Sequence, residues 1–258
     1  MQILKMLEQG KINAQEAERL LEAVTQSEAK ERKGKHKIWS SIEGIPKVIS
    51  AVIGNAIDDA QCQREGPLQY PKKKKLSFNS ISGDLQIIGT DTDKIEVQKD
   101  GLARIRHDDE ALYIKTLSGD IQISLPRATE ISIAGISGDM DISDTAGPLH
   151  IESVSGDVTG KNLSGSFSGE FVSGDIDLEY NKVDEINIRS RSGDVNLILS
   201  KKVEAKIELE SRAGNISCEF ELKDEERTDH EVKGIINRAT GEIEIKSKSG
   251  NISVREKA

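Results

Sequence analysis

Ile186-Asn187-Ile188-Arg189-Ser190-Arg191-Ser192-Gly193-Asp194-Val195-Asn196-Leu197-Ile198-Leu199 decides how this chain folds. Ahead of the Ser-Gly-Asp tripeptide, Ile186, Ile188 and Ser190 fall on one face of an extended chain. Behind it, Val195, Leu197 and Leu199 do the same. Period-two alternation rich in β-branched residues marks half-buried strands. Two such strands joined by a tight corner make one coil of a β-solenoid.

The unit recurs. Corners fall at Gly83-Asp84, Gly119-Asp120, Gly138-Asp139, Gly156-Asp157, Gly174-Asp175, Gly193-Asp194, Gly214-Asn215 and Gly250-Asn251. Successive glycines are 36, 19, 18, 18, 19, 21 and 36 residues apart. A fixed period near 18 predicts a solenoid whose units are stable only when stacked. Each gap of 36 reads as two units, with Gly101 and Gly234 near the turns that are skipped. Stacked at about 4.8 Å per strand, the coils are expected to span roughly 40 Å.

The corner residues have separate tasks. Glycine reaches a left-handed backbone conformation without steric cost, and Asp or Asn can hydrogen-bond local amides. A small residue two positions before the tripeptide (Ser80, Thr116, Ser153, Ser190, Ser211, Ser247) fits where the chain pinches inward. Gly135 and Phe171 depart from that rule.

Aromatic residues are only 3% of the 258, which suits a thin aliphatic solenoid core. No apolar run approaches the roughly 20 residues of a membrane span. Residues 1–24 lack the pattern of a secretion signal, so a cytoplasmic chain is expected. Residues 1–75 carry a net charge of +4 and residues 76–258 a net of −13. The acidic repeat argues against a nucleic-acid partner, which needs a basic footprint.

The first third is a different object. Residues 1–26 read as a helical hairpin. Gln9-Gly10 stops its first helix, and Asn13 and Glu16 stand at capping-box spacing before the second. Residues 27–71 read as a charged linker followed by an amphipathic helix over 38–60, and residues 72–258 as the solenoid. Trp39, Ile42, Ile45, Ile49 and Ile53 give that helix an apolar face. Covering the open end of the solenoid and contacting a membrane surface are both uses for such a face. Lys72 to Lys75 read as solvated residues before the first strand. At the other end the coil around Gly250-Asn251 is followed only by Arg255 to Ala258. It is therefore expected to be an uncovered edge, open to self-association.

Little catalytic chemistry is visible. The acids fall one per corner, and His36, His107, His150 and His230 have no ligand or catalytic spacing. A calcium site takes six to eight oxygens, more than one carboxylate per coil supplies. No enzyme, cofactor or metal is expected. Cys218 falls on an inward strand position and reads as a buried thiol. The outward residue before each corner is more suggestive. It runs Ile81, Leu117, Ile136, Val154, Val172 and then Arg191, Arg212, Lys248, an apolar stripe turning basic that reads as a binding column.

Two segments in this order carry a resemblance. Ile3 to Ile12 leading into Glu16 to Leu21 is similar to a short N-terminal helical module, and the Ser-Gly-Asp ladder follows from Ser82 to Val254. Together they resemble the bacterial putative-adhesin β-strand-repeat family of unknown function, in its LiaX-like and YvlB-like envelope-stress branch. The resemblance implies a non-enzymatic protein of the cell-envelope stress response and supplies no catalytic residues.

The expectation is a scaffold or regulator whose solenoid binds a protein and whose helices dock on a membrane or a membrane or envelope-stress protein. A self-assembling solenoid like the bactofilin cytoskeleton and a surface adhesin are the rival readings.

Overall fold

The computed structural model of the chain describes residues 67–257. The helices expected over 1–26 and 38–60, with Trp39, Ile42, Ile45, Ile49 and Ile53, lie outside the described residues. The described part is all β, and its 19 strands are hydrogen-bonded into one continuous sheet. That sheet folds into two rows, because each coil places one strand before its corner and one after it.

The first row holds β2 (Lys75–Ser80), β6 (Ala111–Ser118), β8 (Glu130–Gly135), β10 (Leu149–Ser153), β14 (Ala205–Ser211) and β18 (Gly241–Ser247). The second holds β3 (Leu85–Thr90), β7 (Ile121–Pro126), β9 (Met140–Ser143), β13 (Val195–Leu199), β15 (Ile216–Cys218) and β19 (Ile252–Glu256). Two long strands, β11 (Val158–Phe171) and β12 (Ile176–Ser190), begin in the second row and finish in the first.

The coils do not stack in the order in which the chain makes them. Parallel pairing orders the first row as β6, β2, β8, β10, β11, β12, β18, β14. The second row follows the same order with β7, β3, β9, β11, β12, β13, β19, β15. The corners therefore run Gly119, Gly83, Gly138, Gly156, Gly174, Gly193, Gly250, Gly214. At the first end the chain builds the Gly83 coil, stacks the outermost Gly119 coil on it and passes back over the Gly83 coil to the Gly138 coil. At the other it skips from the Gly193 coil to the outermost Gly214 coil and returns to fill the level between with the Gly250 coil.

This order corrects two expectations from the sequence. The last coil is not an edge, because β19 is paired on both sides, with β13 and β15. Nor are the gaps of 36 simple skipped turns. In the first gap β4 (Lys94–Lys99) lies antiparallel on β7, and β5 (Leu102–His107) antiparallel on β6. Asp100 and Gly101 join them at the corner column, where the Asp100 amide donates to the Asp120 carbonyl at 2.9 Å. Gly101 thus does occupy a corner, on a coil that runs backwards. In the second gap β16 (Lys223–Arg227) and β17 (Glu231–Ile236) form a hairpin, and β17 lies antiparallel on β14. Gly234 sits opposite Ile207 in the middle of β17 rather than at a corner. It is small because a Cβ there would meet the Leu222 side chain at 2.8 Å.

Strand β1 (Leu68–Pro71) lies antiparallel on β4 at the first end. The lysines after it are engaged rather than merely solvated. Lys72 pairs with Asp93 at 3.1 Å, Lys74 with Glu110 at 2.7 Å and Lys75 with Glu130 at 2.8 Å. Lys73 is buried and donates to the Asp108 carbonyl.

The core is the strip between the rows. Leu112, Leu76, Ile131, Leu149, Phe167, Ile186, Ile243 and Ile207 fill one inward column, each wholly or almost wholly buried. The reversed strands add Ile95, Val97 and Ala103 at one end and Val232 and Ile236 at the other. Ser80, Thr116, Ser153, Ser190, Ser211 and Ser247 are buried at the pinch. Ser80, Thr116, Ser153 and Ser190 each donate to the carbonyl two residues on. Where that residue is Gly135, the Met140 side chain occupies the space, at 2.7 Å from where a Cβ would be. The Phe171 ring instead lies over Gly169 beside Phe167.

One constraint recurs along the corner column. Gly156 has φ of +118°, and a Cβ on it would stand 2.1 Å from the Gly138 carbonyl oxygen. From Gly83 to Gly214 along the stack the same contact is 2.0–2.2 Å, each glycine against the carbonyl of the coil before it. Gly214 lacks the positive φ of the others and is held to glycine by this contact alone. Gly156→Ala combines left-handed strain with a backbone clash, so the substitution is expected to cost about 3 kcal/mol. Urea unfolding followed by circular dichroism reads that loss as a lower midpoint.

Candidate functional site

The corner acids do not bond their own turns, as the sequence suggests; they bond the next coil. Asp120 Oδ1 accepts from the Asp84 amide at 3.0 Å, and Asp84 Oδ1 from the Asp139 amide at 2.9 Å. The ladder continues from Asp139 to Asp157, Asp157 to Asp175 and Asp175 to Asp194, at 2.8–2.9 Å. It then passes from Asp194 to Asn251 at 2.8 Å and from Asn251 to Asn215 at 3.0 Å. Every rung spends a carboxylate or amide oxygen on a backbone N–H, so the column is a structural seam. Among the described residues no group of three or more His, Cys, Asp or Glu is placed to hold a metal ion.

A shallow cavity of about 330 Å³ beside Asp84, Asp100, Asp120 and Asp141 opens at the first end. Asp84 and Asp120 there are already acceptors in the ladder. A second polar ladder follows the opposite corner. Asn162 donates to Asp144, Asn181 to Asn162, and Lys257 reaches Asn181 Oδ1 at 3.3 Å. Cys218 is half-buried and free, and burial pushes its thiol up, away from the reactive thiolate.

The outward column is continuous in space. In stack order it reads Leu117, Ile81, Ile136, Val154, Val172, Arg191, Lys248, Arg212. Each amide from Ile81 onward donates to a carbonyl of the preceding coil, at 3.0–3.2 Å. The interleaved order keeps the apolar half and the basic half apart, as the chain order does. Its members are not equally accessible: Ile81 is 5% and Ile136 2% exposed, against 37% for Leu117. Ile81 and Ile136 lie outside the hydrophobic core cluster that fills the strip between the rows. Val154, Val172, Arg191 and Lys248 are half-buried and Arg212 is exposed.

The outward positions beside the basic half form a charged network that sequence reading passed over. Glu244 Oε2 accepts from Asn187 Nδ2 at 2.7 Å and lies 3.5 Å from Arg189, while Lys246 donates to Oε1. Lys246 also stands 3.9 Å from Glu208, which Lys233 approaches at 3.6 Å. These residues are neighbours because β12, β18, β14 and β17 are adjacent, an order that local sequence does not reveal. The hydrogen bond from Lys246 holds the Glu244 carboxyl below its ordinary range, helped by Arg189 and Asn187 and opposed by partial burial. Leu102 and Tyr113, 50% and 42% exposed, were also passed over. Tyr113 is legible in hindsight, being outward in the frame of Leu112 and Ile114.

Residues 67–255 match the family model described as Toastrack DUF4097. The chain belongs to the Toastrack DUF4097 family. Residues 1–29 match a SHOCT-like domain, ahead of the Toastrack region. No curated protein matches the chain. Among solved structures it is similar to a putative cell adhesion protein from Clostridium sporogenes, at 16% identity and a TM-score of 0.47. That match covers 75% of this chain and 100% of the other. A putative adhesin from Bacteroides fragilis is similar at 14% identity and a TM-score of 0.35, over 74% of this chain and 97% of the other. The Toastrack seam and the outward column beside it are the features that the described residues place together.

Two outcomes follow from this geometry. Asn251 and Asn215 already serve as rungs, so Asp157→Asn is expected to leave the thermal midpoint unchanged, whereas Asp157→Ala lowers it measurably. A carboxyl whose pKa is lowered by folding adds stability above its unfolded value and loses it as pH falls through the folded one. The stability difference between wild type and Glu244→Gln is thus expected to be constant near neutral pH. It narrows below about pH 4.5, as urea midpoints across pH will show.

Proposed function

We propose that this chain is a non-enzymatic binding scaffold of the bacterial cell-envelope stress response. In this reading the outward column takes a protein partner, and the segment before the solenoid docks on a membrane or a membrane protein. The observation that carries the reading is the accessible part of the column, where half-buried Val154 and Val172 lead into Arg191, Lys248 and exposed Arg212. Such a strip suits an extended or helical segment with an apolar stretch followed by acids. The seam supports the same reading from the other side, because its corner acids are committed to holding coils together. Its regular corners also leave few long loops from which to build a catalytic cleft.

The SHOCT-like match over 1–29 and the apolar face of Trp39, Ile42, Ile45, Ile49 and Ile53 support a docking role for the first third. A cytoplasmic position against the inner membrane face belongs to the proposal. Protection of the chain from protease added to intact cells is the result that agrees with it.

The column is tested by a photoreactive residue placed at Val172 and, separately, at Asn196 on the outward face of the second row. Cells under envelope stress are expected to give a discrete cross-linked protein from position 172 alone, lost when Arg191 and Lys248 are reversed to Glu. Equal products from both positions contradict a dedicated column. For the first third, Trp39→Ala with Ile42→Asp is expected to abolish flotation with anionic vesicles. Unchanged flotation removes the membrane from the proposal.

A further inference from the structure

The first row ends on a single-partner strand on each side. Among the described residues β5 has only β6 as a strand partner, and β16 has only β17. The outer backbone groups of both strands therefore lack a strand beside them, and such edges pair with other chains unless something opposes it.

Three observations match these two edges to each other. The first is chain direction. All coil strands of the row run parallel, β5 runs against them, and β17 against them again, which returns β16 to the common direction. Moving one copy along the solenoid axis therefore brings β16 of one copy antiparallel to β5 of the next. That is the sense in which an extra strand joins a regular antiparallel ladder.

The second is charge. The segment Glu219 to Glu231, which contains β16, carries seven Asp and Glu against two Lys and Arg. Lys99 to His107, which contains β5, carries three Lys and Arg against one Asp. Edges blunted by charge of one sign repel their own kind, whereas edges of opposite sign at the two ends of one row attract.

The third is apolar exposure. The exposed large hydrophobic side chains of the described residues are Leu102, Tyr113 and Leu117, and all three lie on β5 and β6. Neither β5 nor β16 contains proline, while β1, at the same end in the second row, finishes on Pro71.

We propose that the solenoid associates head to tail with a second copy of this chain, β16 of one copy pairing with β5 of the next. The contact is heterologous, so it does not consume both edges of a copy and it extends to further copies. It does not use the coil around Gly250-Asn251, which is enclosed.

Sedimentation velocity of the full, reduced chain over a range of concentrations tests the pairing. Species larger than the monomer are expected to grow with concentration and to recede when salt rises from about 0.05 to 0.5 M. Arg104→Glu with Arg106→Glu makes the β5 edge acidic like β16, and Glu225→Lys with Glu226→Lys makes β16 itself basic like β5. Each double variant alone is expected to weaken association at least about tenfold, and an equimolar mixture of the two to restore it. Circular dichroism melting of each variant alone separates lost pairing from lost folding. If either melts early, the salt response of the wild type decides. Wild type that stays monomeric at every concentration overturns the proposal. So does association that is indifferent to salt, or that survives either charge reversal in a folded variant.

Discussion

The structure rests on the distance between a glycine and the carbonyl of the coil beneath it. Along the Ser-Gly-Asp column a Cβ would stand about 2 Å from that oxygen, closer than any side-chain carbon can come. Because the glycine has no Cβ, the neighbouring corner can sit that close, and the Asp or Asn that follows can offer Oδ1 to the amide of the next coil. The hydrogen-bond ladder and the close glycine contact therefore depend on each other. With the corners at one spacing, the strands on either side have no choice of register. Ile186 then meets Ile243, and Val195 meets Ile252, in an apolar column.

The same constraint explains how the chain manages its ends. A solenoid wound strictly in order leaves its first and last coils as bare edges. Here each end is built by passing over a level. At the first end the outermost coil is covered by a reversed coil through Asp100 and Gly101, and at the other by the β16–β17 hairpin. The last strand of the chain is enclosed, with β13 on one side and β15 on the other. The final coil is thus held by contacts far away in sequence, and its closure joins Asp194 to Asn215 through Asn251.

The coil itself was legible in the sequence because its determinants are local. Alternation over five or six residues, a Gly-Asp corner and a small inward Ser or Thr are all read within one repeat. The order of the coils was not legible, for the opposite reason. Every coil carries the same signature, and nothing in Ser249-Gly250-Asn251 says that it belongs between Asp194 and Asn215. The gaps of 36 residues were visible, but a doubled period and an inserted antiparallel pair have the same length. The axial bonds of the corner acids and the network of Asn187, Arg189, Glu244 and Lys246 were hidden with the order, since both exist only between coils. The outward column can be traced in the sequence because its definition is positional. Its separation into an apolar and a basic half is the same in chain order and in stack order, because interleaving exchanges places only within each half.

The interleaved order is the central claim, and cysteine pairing measures it directly. In a background with Cys62 and Cys218 replaced by serine, Ser217→Cys with Ser253→Cys joins partners of adjacent strands, whose hydroxyls lie 3.4 Å apart. Asn196→Cys with Ser217→Cys joins positions that β19 separates, about 10 Å apart at ordinary strand spacing and beyond the reach of a disulfide. Under mild oxidation the first pair is expected to close rapidly and the second to remain reduced in the folded protein. Ready closure of the second pair, with the first left open, would mean that the coils stack in sequence order and would contradict the account.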